Sequence, residues 1–338
     1  MSKPNAFSLS LMLTLGLVAC GGGGSDSPAI ETANYLSGQA ELGAWNVLQE
    51  ARTQCGFGAL TPNAKLDAAA FSHAKYLVDL SIETGVLELS HYESVGVAGF
   101  TGEYPGDRAI SQGYYYSALA EILEATELEY TYQPIFPTME ERGANSMRSL
   151  LNTVYHLSGA MFEGSDVGLG AYMKTTMIDA TTWREEYRFG ALIGYTSPDL
   201  RITMGTRKVA TYPCDGSSNI PTKFVPVYES PNPFPEMTST SQSVGPPIYL
   251  KVDAPQVLTV NSSSSVSQNG ISVPFVVLTN ANDPNLDPNS GKPYIEANEA
   301  FVIPTVPLKP YTTYQVTLSG SIDKLAFSRS FTMSTGSQ

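Results

Sequence analysis

The 338-residue chain is 42% apolar, which is long enough for two domains and ample for packed cores. Its 32 acidic against 19 basic residues leave a formal charge of −13, a field that repels polyphosphate and excludes nucleic acid as an expected partner. Only three histidines and three cysteines are present, so the position of each carries information.

Lys3 precedes the apolar run "AFSLSLMLTLGLVAC", which is short for a bilayer span and has the charge, apolar core and small-residue order of an export signal. Export is expected, with 1–19 as signal peptide. Leu17-Val18-Ala19-Cys20 resembles the bacterial lipobox, which implies cleavage before Cys20 and acylation of it; an ordinary signal peptide cut nearby is the alternative. Several acyl chains, at ~0.8 kcal/mol per buried methylene, make a lasting membrane anchor. The following "GGGGSDS" lies in 20–34, which reads as a flexible tether. By the same resemblance, Gly21 after the cysteine argues against inner-membrane retention. The expected location is the cell envelope, as an outer-membrane lipoprotein facing the periplasm or the surface, or else extracellular. No transmembrane helix is visible beyond the signal. With Cys20 lipidated, Cys55 and Cys214 are an even pair bound for an oxidising compartment, and a disulfide between them is expected, two free buried thiols being the alternative.

From 35 to 206 long helical patterns dominate. Trp45, Leu48, Arg52 and Cys55 lie along one side of a helix that Gly56 can end. After "GALTPN", Leu66, Ala69, Ala70, His73, Ala74, Leu77 and Leu80 trace an apolar stripe. His73, inside that stripe, reads as a packed core residue rather than a ligand. His91 follows the helix in "ELSHYESVG", where a loop can bring it to a cleft. The next stretch, "RAISQGYYYSALAEIL", reads as an interrupted helix in which Arg108, Gly113, Tyr114 and Glu121 stand out by spacing.

Those intervals resemble the CAP superfamily (cysteine-rich secretory proteins, antigen 5 and pathogenesis-related proteins), whose bacterial members have an arginine, then a Gly-Tyr pair, then a Glu-Asn pair at this spacing. Further on, "LLNTVYHLSGAMFEGSDVGLGAYM" is similar to the family's Ser-Pro-Gly-His-Arg turn, short helix and glycine-rich strand, with His156 at the histidine and Gly168 and Gly170 at the strand glycines. The opening "WNVLQEARTQCGFGALTPNAKLDAAAFSHAKYL" also looks like the family's first two helices. The resemblance covers 35–206 and implies an α-β-α sandwich whose central antiparallel sheet includes "VGLGAYM" and "YRFGALIGY". It also implies a cleft lined by His91, Glu121 and His156. Two imidazoles and a carboxylate with an open position suit Zn²⁺, and equally suit a water or a polarised carbonyl.

The chain departs from the family pattern at several points. Ile122 replaces the asparagine after the glutamate, Leu157 the arginine after the second histidine, Thr153-Val154-Tyr155 the Ser-Pro-Gly turn, and Leu150 a tryptophan. Groups that orient the ligands are therefore changed, which weakens the case for a metal. The insertion "ELEYTYQPIFPTMEERGANS" offers Glu140 or Glu141 as a second carboxylate. No His-Glu-x-x-His, Gly-x-Ser-x-Gly or phosphate-binding glycine loop is present, and no uncommitted cysteine, so standard hydrolase routes lack a motif. A metal-assisted hydrolase would use Glu121 as catalytic base or ligand.

The segment 207–221 is rich in turn formers and reads as a linker. From 222 to 338, short candidates "PIYLKV", "QVLTV", "ISVPFVVLT", "EAFVIPT", "TTYQVTLSG" and "AFSRSFTM" point to a β-sandwich. The closing strands resemble those of bacterial immunoglobulin-like domains, which implies a spacer or adhesive unit. The loop "NANDPNLDPNSGK" with Asp283 and Asp287 lacks a calcium-loop spacing and reads as a solvated turn. The expected protein is thus an α+β chain: a CAP-type α-β-α sandwich followed by an all-β immunoglobulin-like sandwich. As an envelope lipoprotein, its first domain would bind a lipid, a sterol-like molecule or another amphiphile, or a partner protein. The alternative is a metal-assisted hydrolase of peptide or envelope substrates.

Overall fold

The computed structural model describes residues 34–288 and 290–337, so the expected signal peptide, Cys20 and the tether up to residue 33 lie outside the described residues. About 22% of the chain is helix and 32% strand, in several sheets, compatible with an α+β class.

The N-terminal part contains helices α1 (Ala40–Cys55), α2 (Ala64–Thr84), α3 (Pro105–Ser111), α4 (Met139–Leu150) and α5 (Tyr155–Ala160) and strands β1 (Thr61–Pro62), β2 (Ala118–Tyr130), β3 (Asp166–Met177) and β4 (Trp183–Tyr195). The strands form one sheet in the order β1-β3-β4-β2, antiparallel except for the short parallel contact of β1 with β3. Side chains alternate across a strand, so each face acquires its own helices. Ile122, Phe189, Ala191 and Ile193 share a core with Trp45 and Leu48 of α1, Met147 of α4 and Leu157 of α5. On the other face Leu192 packs with Leu66 and Ala70 of α2, and Leu123 with Tyr76 and Leu77. Contact with α2 is close: a β-carbon on Gly168 would fall 2.1 Å from the carbonyl carbon of Leu66, and one on Gly170 2.1 Å from the nitrogen of Phe71. The two strand glycines are there so that a helix backbone can lie on the sheet.

The stretch expected as an interrupted helix through residue 123 is instead a helix followed by a strand. Gly113, at φ 81°, turns the chain after α3, and β2 then pairs with β4 from Ala118 opposite Tyr195 to Tyr130 opposite Trp183. The sequence "ALAEILEATELEY" has a helix-forming composition, and an uninterrupted ladder of cross-strand hydrogen bonds overrides that weak preference. Glu121 therefore sits on an edge strand.

Downstream come β5 (Ala210–Tyr212), β6 (Ser217–Ile220), β7 (Ile248–Lys251), β8 (Leu258–Val260), β9 (Ser265–Gln268), β10 (Ile271–Val273), β11 (Phe275–Thr279), β12 (Glu299–Pro304), β13 (Thr313–Ile322) and β14 (Leu325–Thr335). They make two sheets, β10-β9-β13-β14-β6 with β8 beside β13, and β11-β12-β7-β5. Leu250 and Val302 of one share a core with Val316, Leu318 and Phe331 of the other, so the sheets pack as a sandwich. The stretch "ISVPFVVLT", expected as one strand, is divided at Pro274, which has no N–H for a ladder, into β10 and β11 of different sheets. The segment expected as a linker supplies β5 to one sheet and β6 to the other, with Pro213 and Pro221 outside the strands.

Strands β7 and β12 are buried on both faces. Tyr249, Phe301 and Ile303 point away from the sandwich core into the core built on α1, and Phe57 stacks on Tyr249 at 5.9 Å, so the two parts of the chain share an apolar interior. The Cys55–Cys214 disulfide is formed, with Cα atoms 5.4 Å apart, and ties the end of α1 to the segment between β5 and β6. Arg52 is wholly buried beside this junction and donates to the carbonyls of Phe57, Gly58, Ala160 and Phe162. Among the described residues no helix is long and apolar enough to cross a membrane.

Candidate functional site

The loop after α2 is folded around a buried carboxylate. Gly85, at φ 71°, ends α2 and bonds back to the Ser81 carbonyl. The chain then returns over the helix, and Glu93 accepts the backbone N–H groups of Thr101 at 2.6 Å and Gly102 at 3.3 Å. His73 of α2 reaches the same loop: its Nδ1 lies 2.9 Å from Glu93 and its Nε2 2.8 Å from the Ser90 carbonyl. Both ring nitrogens thus lie within hydrogen-bond distance of oxygen atoms. Burial pushes the Glu93 carboxyl up, but the hydrogen bonds from His73 and Thr101 and the charges of His73 and Arg108 outweigh it and leave it below the ordinary value.

The second half of the network comes from α3 and β2. Pro105 opens α3, and Asp107 accepts the Tyr104 N–H, which sets the helix so that Arg108 points inward. Nη2 of Arg108 donates to both oxygens of Glu121, at 2.7 and 2.9 Å, and Nη1 to the carbonyls of His91 and Gly102. Its Nε, which makes no hydrogen bond, lies 3.9 Å from Glu93. Glu121 in turn meets Nδ1 of His91 at 2.8 Å. Burial pushes the Glu121 carboxyl up, yet the His91 hydrogen bond and the positive charges of Arg108, His73 and His91 prevail and hold it at about 2. The result is a chain of contacts, His73–Glu93–Arg108–Glu121–His91, sealed everywhere but at its end: the Glu121 side chain is 2% exposed and that of His91 40%. Among the described residues the His91 ring bonds only Glu121, so Nε2 faces outward, able to donate or accept.

His156 has a different carboxylate. Its Nδ1 lies 3.2 Å from Glu229 and 3.3 Å from the Thr153 hydroxyl. Glu229 also accepts the backbone N–H groups of Val154, Tyr155 and His156 and so caps α5 from outside the helix. α5 packs on the face of β2 that carries Ile122, whereas Glu121 and Leu123 face α2 and α3. The expected three-residue set is thus corrected: His91 and Glu121 meet, while His156 is engaged by Glu229. Among the described residues no group of three or more His, Cys, Asp and Glu is placed to hold a metal ion, so the zinc set expected of His91, Glu121 and His156 is not assembled. His73, expected as a packed core residue, is buried, and through Glu93 it also joins the network that holds Glu121.

Other sequence candidates have structural roles. Glu140 accepts the Gly38 N–H, and Glu141 closes a capping box with Thr138 at the start of α4, so neither joins the His91 cluster. The Tyr114 hydroxyl donates to Asp166 at 2.8 Å, fixing the turn after α3 to the start of β3. Asp283, read as part of a solvated turn, instead accepts the Tyr155 hydroxyl across the junction at 2.6 Å and the Ile295 N–H within its own part of the chain. Sequence reasoning missed Glu93 and Glu229. The first had a signal, since Glu93 follows His91 by two positions in the same loop; the second is remote in sequence and had none. No family model matches the chain, and no curated protein matches it.

Proposed function

We propose that residues 35–206 form a CAP-like domain that binds an amphiphilic ligand at the His91 rim, in an outer-membrane lipoprotein anchored through Cys20. The C-terminal sandwich would be an immunoglobulin-like module that holds this domain off the membrane. The observation that carries the reading is the setting of His91. An outward imidazole, oriented from behind by a buried carboxylate and arginine, belongs to a loop that also exposes Leu89, Tyr92, Val95 and Phe100. A few polar groups among apolar side chains are what a ligand with a polar head and an apolar tail requires. The ring contacts no serine, threonine or cysteine hydroxyl or thiol among the described residues, which favours binding over covalent hydrolysis.

The hydrolase reading draws on the same pair, because an imidazole oriented by a carboxylate with Nε2 outward is a general-base arrangement. Titrating a fluorescent long-chain fatty acid into the chain from Cys20 onward separates the two. The ligand reading expects saturable binding that His91→Ala and Phe100→Ser each weaken by about tenfold. Absence of saturable binding sinks it. The hydrolase reading expects peptide or ester turnover that His91→Ala abolishes.

A further inference from the structure

A second site lies at the seam between the two parts of the chain, away from the loop that carries His91. The C-terminal turns of α1 and α4, together with β5, β6 and the proline-rich connections, line an open-sided cavity of about 200 Å³. That is below the ~300–1,000 Å³ of drug-sized sites and limits an occupant to one small molecule. Part of its lining is apolar, with Val47, Leu151 and Pro246, and part carries Glu50, Arg148 and Tyr212.

The charged groups are not used by the fold. The hydrogen bond of the Arg148 side chain among the described residues goes to Asn145 on its own helix, and no ion pair joins Glu50 to Arg148. Both nevertheless act on one hydroxyl. Burial foremost pushes the Tyr212 phenol up to about 12, with Arg148 lowering and Glu50 raising it, so charges of opposite sign flank it. That hydroxyl has no hydrogen-bond partner among the described residues. Opposite charges exposed on neighbouring helices, not paired with each other, in the partly apolar lining of one small cavity match a molecule that carries both charges and a compact apolar group.

We infer that this cavity is a binding site for a small zwitterion of the amino-acid class. Its carboxylate pairs with Arg148, its ammonium with Glu50, the Tyr212 hydroxyl bonds between them, and its side chain covers Val47, Leu151 and Pro246. Guanidinium–carboxylate pairing gives such a site directionality as well as affinity. Nothing in this assignment depends on the His91 reading.

Calorimetric titration of the chain from Cys20 onward with L-leucine, N-acetyl-L-leucine and L-leucinamide tests it. L-leucine is expected to bind saturably, and each single-charge derivative about tenfold more weakly, the loss of one charge-assisted contact. Glu50→Gln should erase the penalty for acetylation and Arg148→Gln the penalty for amidation, each with its melting temperature unchanged, since both side chains lie on the surface of the cavity. His91→Ala should leave L-leucine affinity as it was. The assignment is overturned if L-leucine gives no saturable heat, if the three compounds bind alike, if both variants keep the parent's preferences, or if His91→Ala removes binding.

Discussion

The sheet built from β1 to β4 has a histidine–carboxylate pair associated with each of its faces, and the pairs behave differently. On the α2 side, Glu121 is held by Arg108 and presents His91 outward. On the α5 side, Glu229 spends its oxygens on three backbone N–H groups of a helix start, and His156 is an additional contact. The same two residue types thus yield an oriented, accessible imidazole in one place and a structural cap in the other. What separates them is the remaining hydrogen-bond inventory of each carboxylate, not the histidine.

The largest test of that difference is Arg108→Met. It leaves Glu93 and Glu121 buried without their cation, and a cost of about 3–5 kcal/mol in urea unfolding is expected. Combining it with Glu121→Gln should cost less than the sum of the two single changes, because they share one network. If the two add without coupling, the network is not a unit.

Acid comes next. Glu121 is held at about 2 in the folded chain and Glu93 is also depressed, against an ordinary carboxyl near ~4.3. A depressed folded value means that the stabilisation is complete above the unfolded value and disappears as pH falls through the folded one. Stability should therefore drop between about pH 4.5 and 2, on the order of 3 kcal/mol from Glu121. Glu121→Gln should remove most of that slope, which denaturant unfolding at a series of pH values would reveal.

On the other side the junction is braced by the Cys55–Cys214 disulfide. Cys55→Ser with Cys214→Ser should cost about 2–4 kcal/mol. Hydrogen exchange should speed up first at β5, β6 and the end of α1 rather than at the His91 loop. A smaller effect is expected for Glu229→Gln, about 1–2 kcal/mol from the weakened cap. Its signature would be faster exchange of the amides of Val154, Tyr155 and His156, with the His91 environment unchanged by NMR. Smallest in stability is His91→Ala, about 1 kcal/mol, because it removes one hydrogen bond from the buried Glu121 carboxylate while both Arg108 contacts remain and the ring itself is partly exposed. A large loss there would mean that His91 braces the network instead of being displayed by it.

Much of the N-terminal part was legible in the amino-acid pattern. The stripe from Leu66 to Leu77 is buried as its spacing requires, Gly56 and Gly85 end helices in the left-handed conformation, and Cys55 and Cys214 pair. The likeness of intervals at Arg108, Gly113, Tyr114 and Glu121 drew attention to residues that do work together, although Tyr114 acts through Asp166 and not at the rim. Strands β7, β8 and β10 to β14 were located by their turn residues, whereas the short β5, β6 and β9 were not. The choice of helix for 118–123 failed because propensity is a local quantity, whereas the strand is held by β4, more than sixty positions away.

Local periodicity and capping residues, which depend on neighbours within a turn or two, determined α1, α2, the buried place of His73 and most strands of the sandwich. Tertiary structure alone decided that Glu121 faces Arg108 and not His156, that Glu229 caps α5, and that 207–221 joins the sheets. Each of those outcomes is a contest for buried hydrogen-bond partners among groups remote in sequence. A carboxylate's role depends on which donors reach it first, and no local pattern records that.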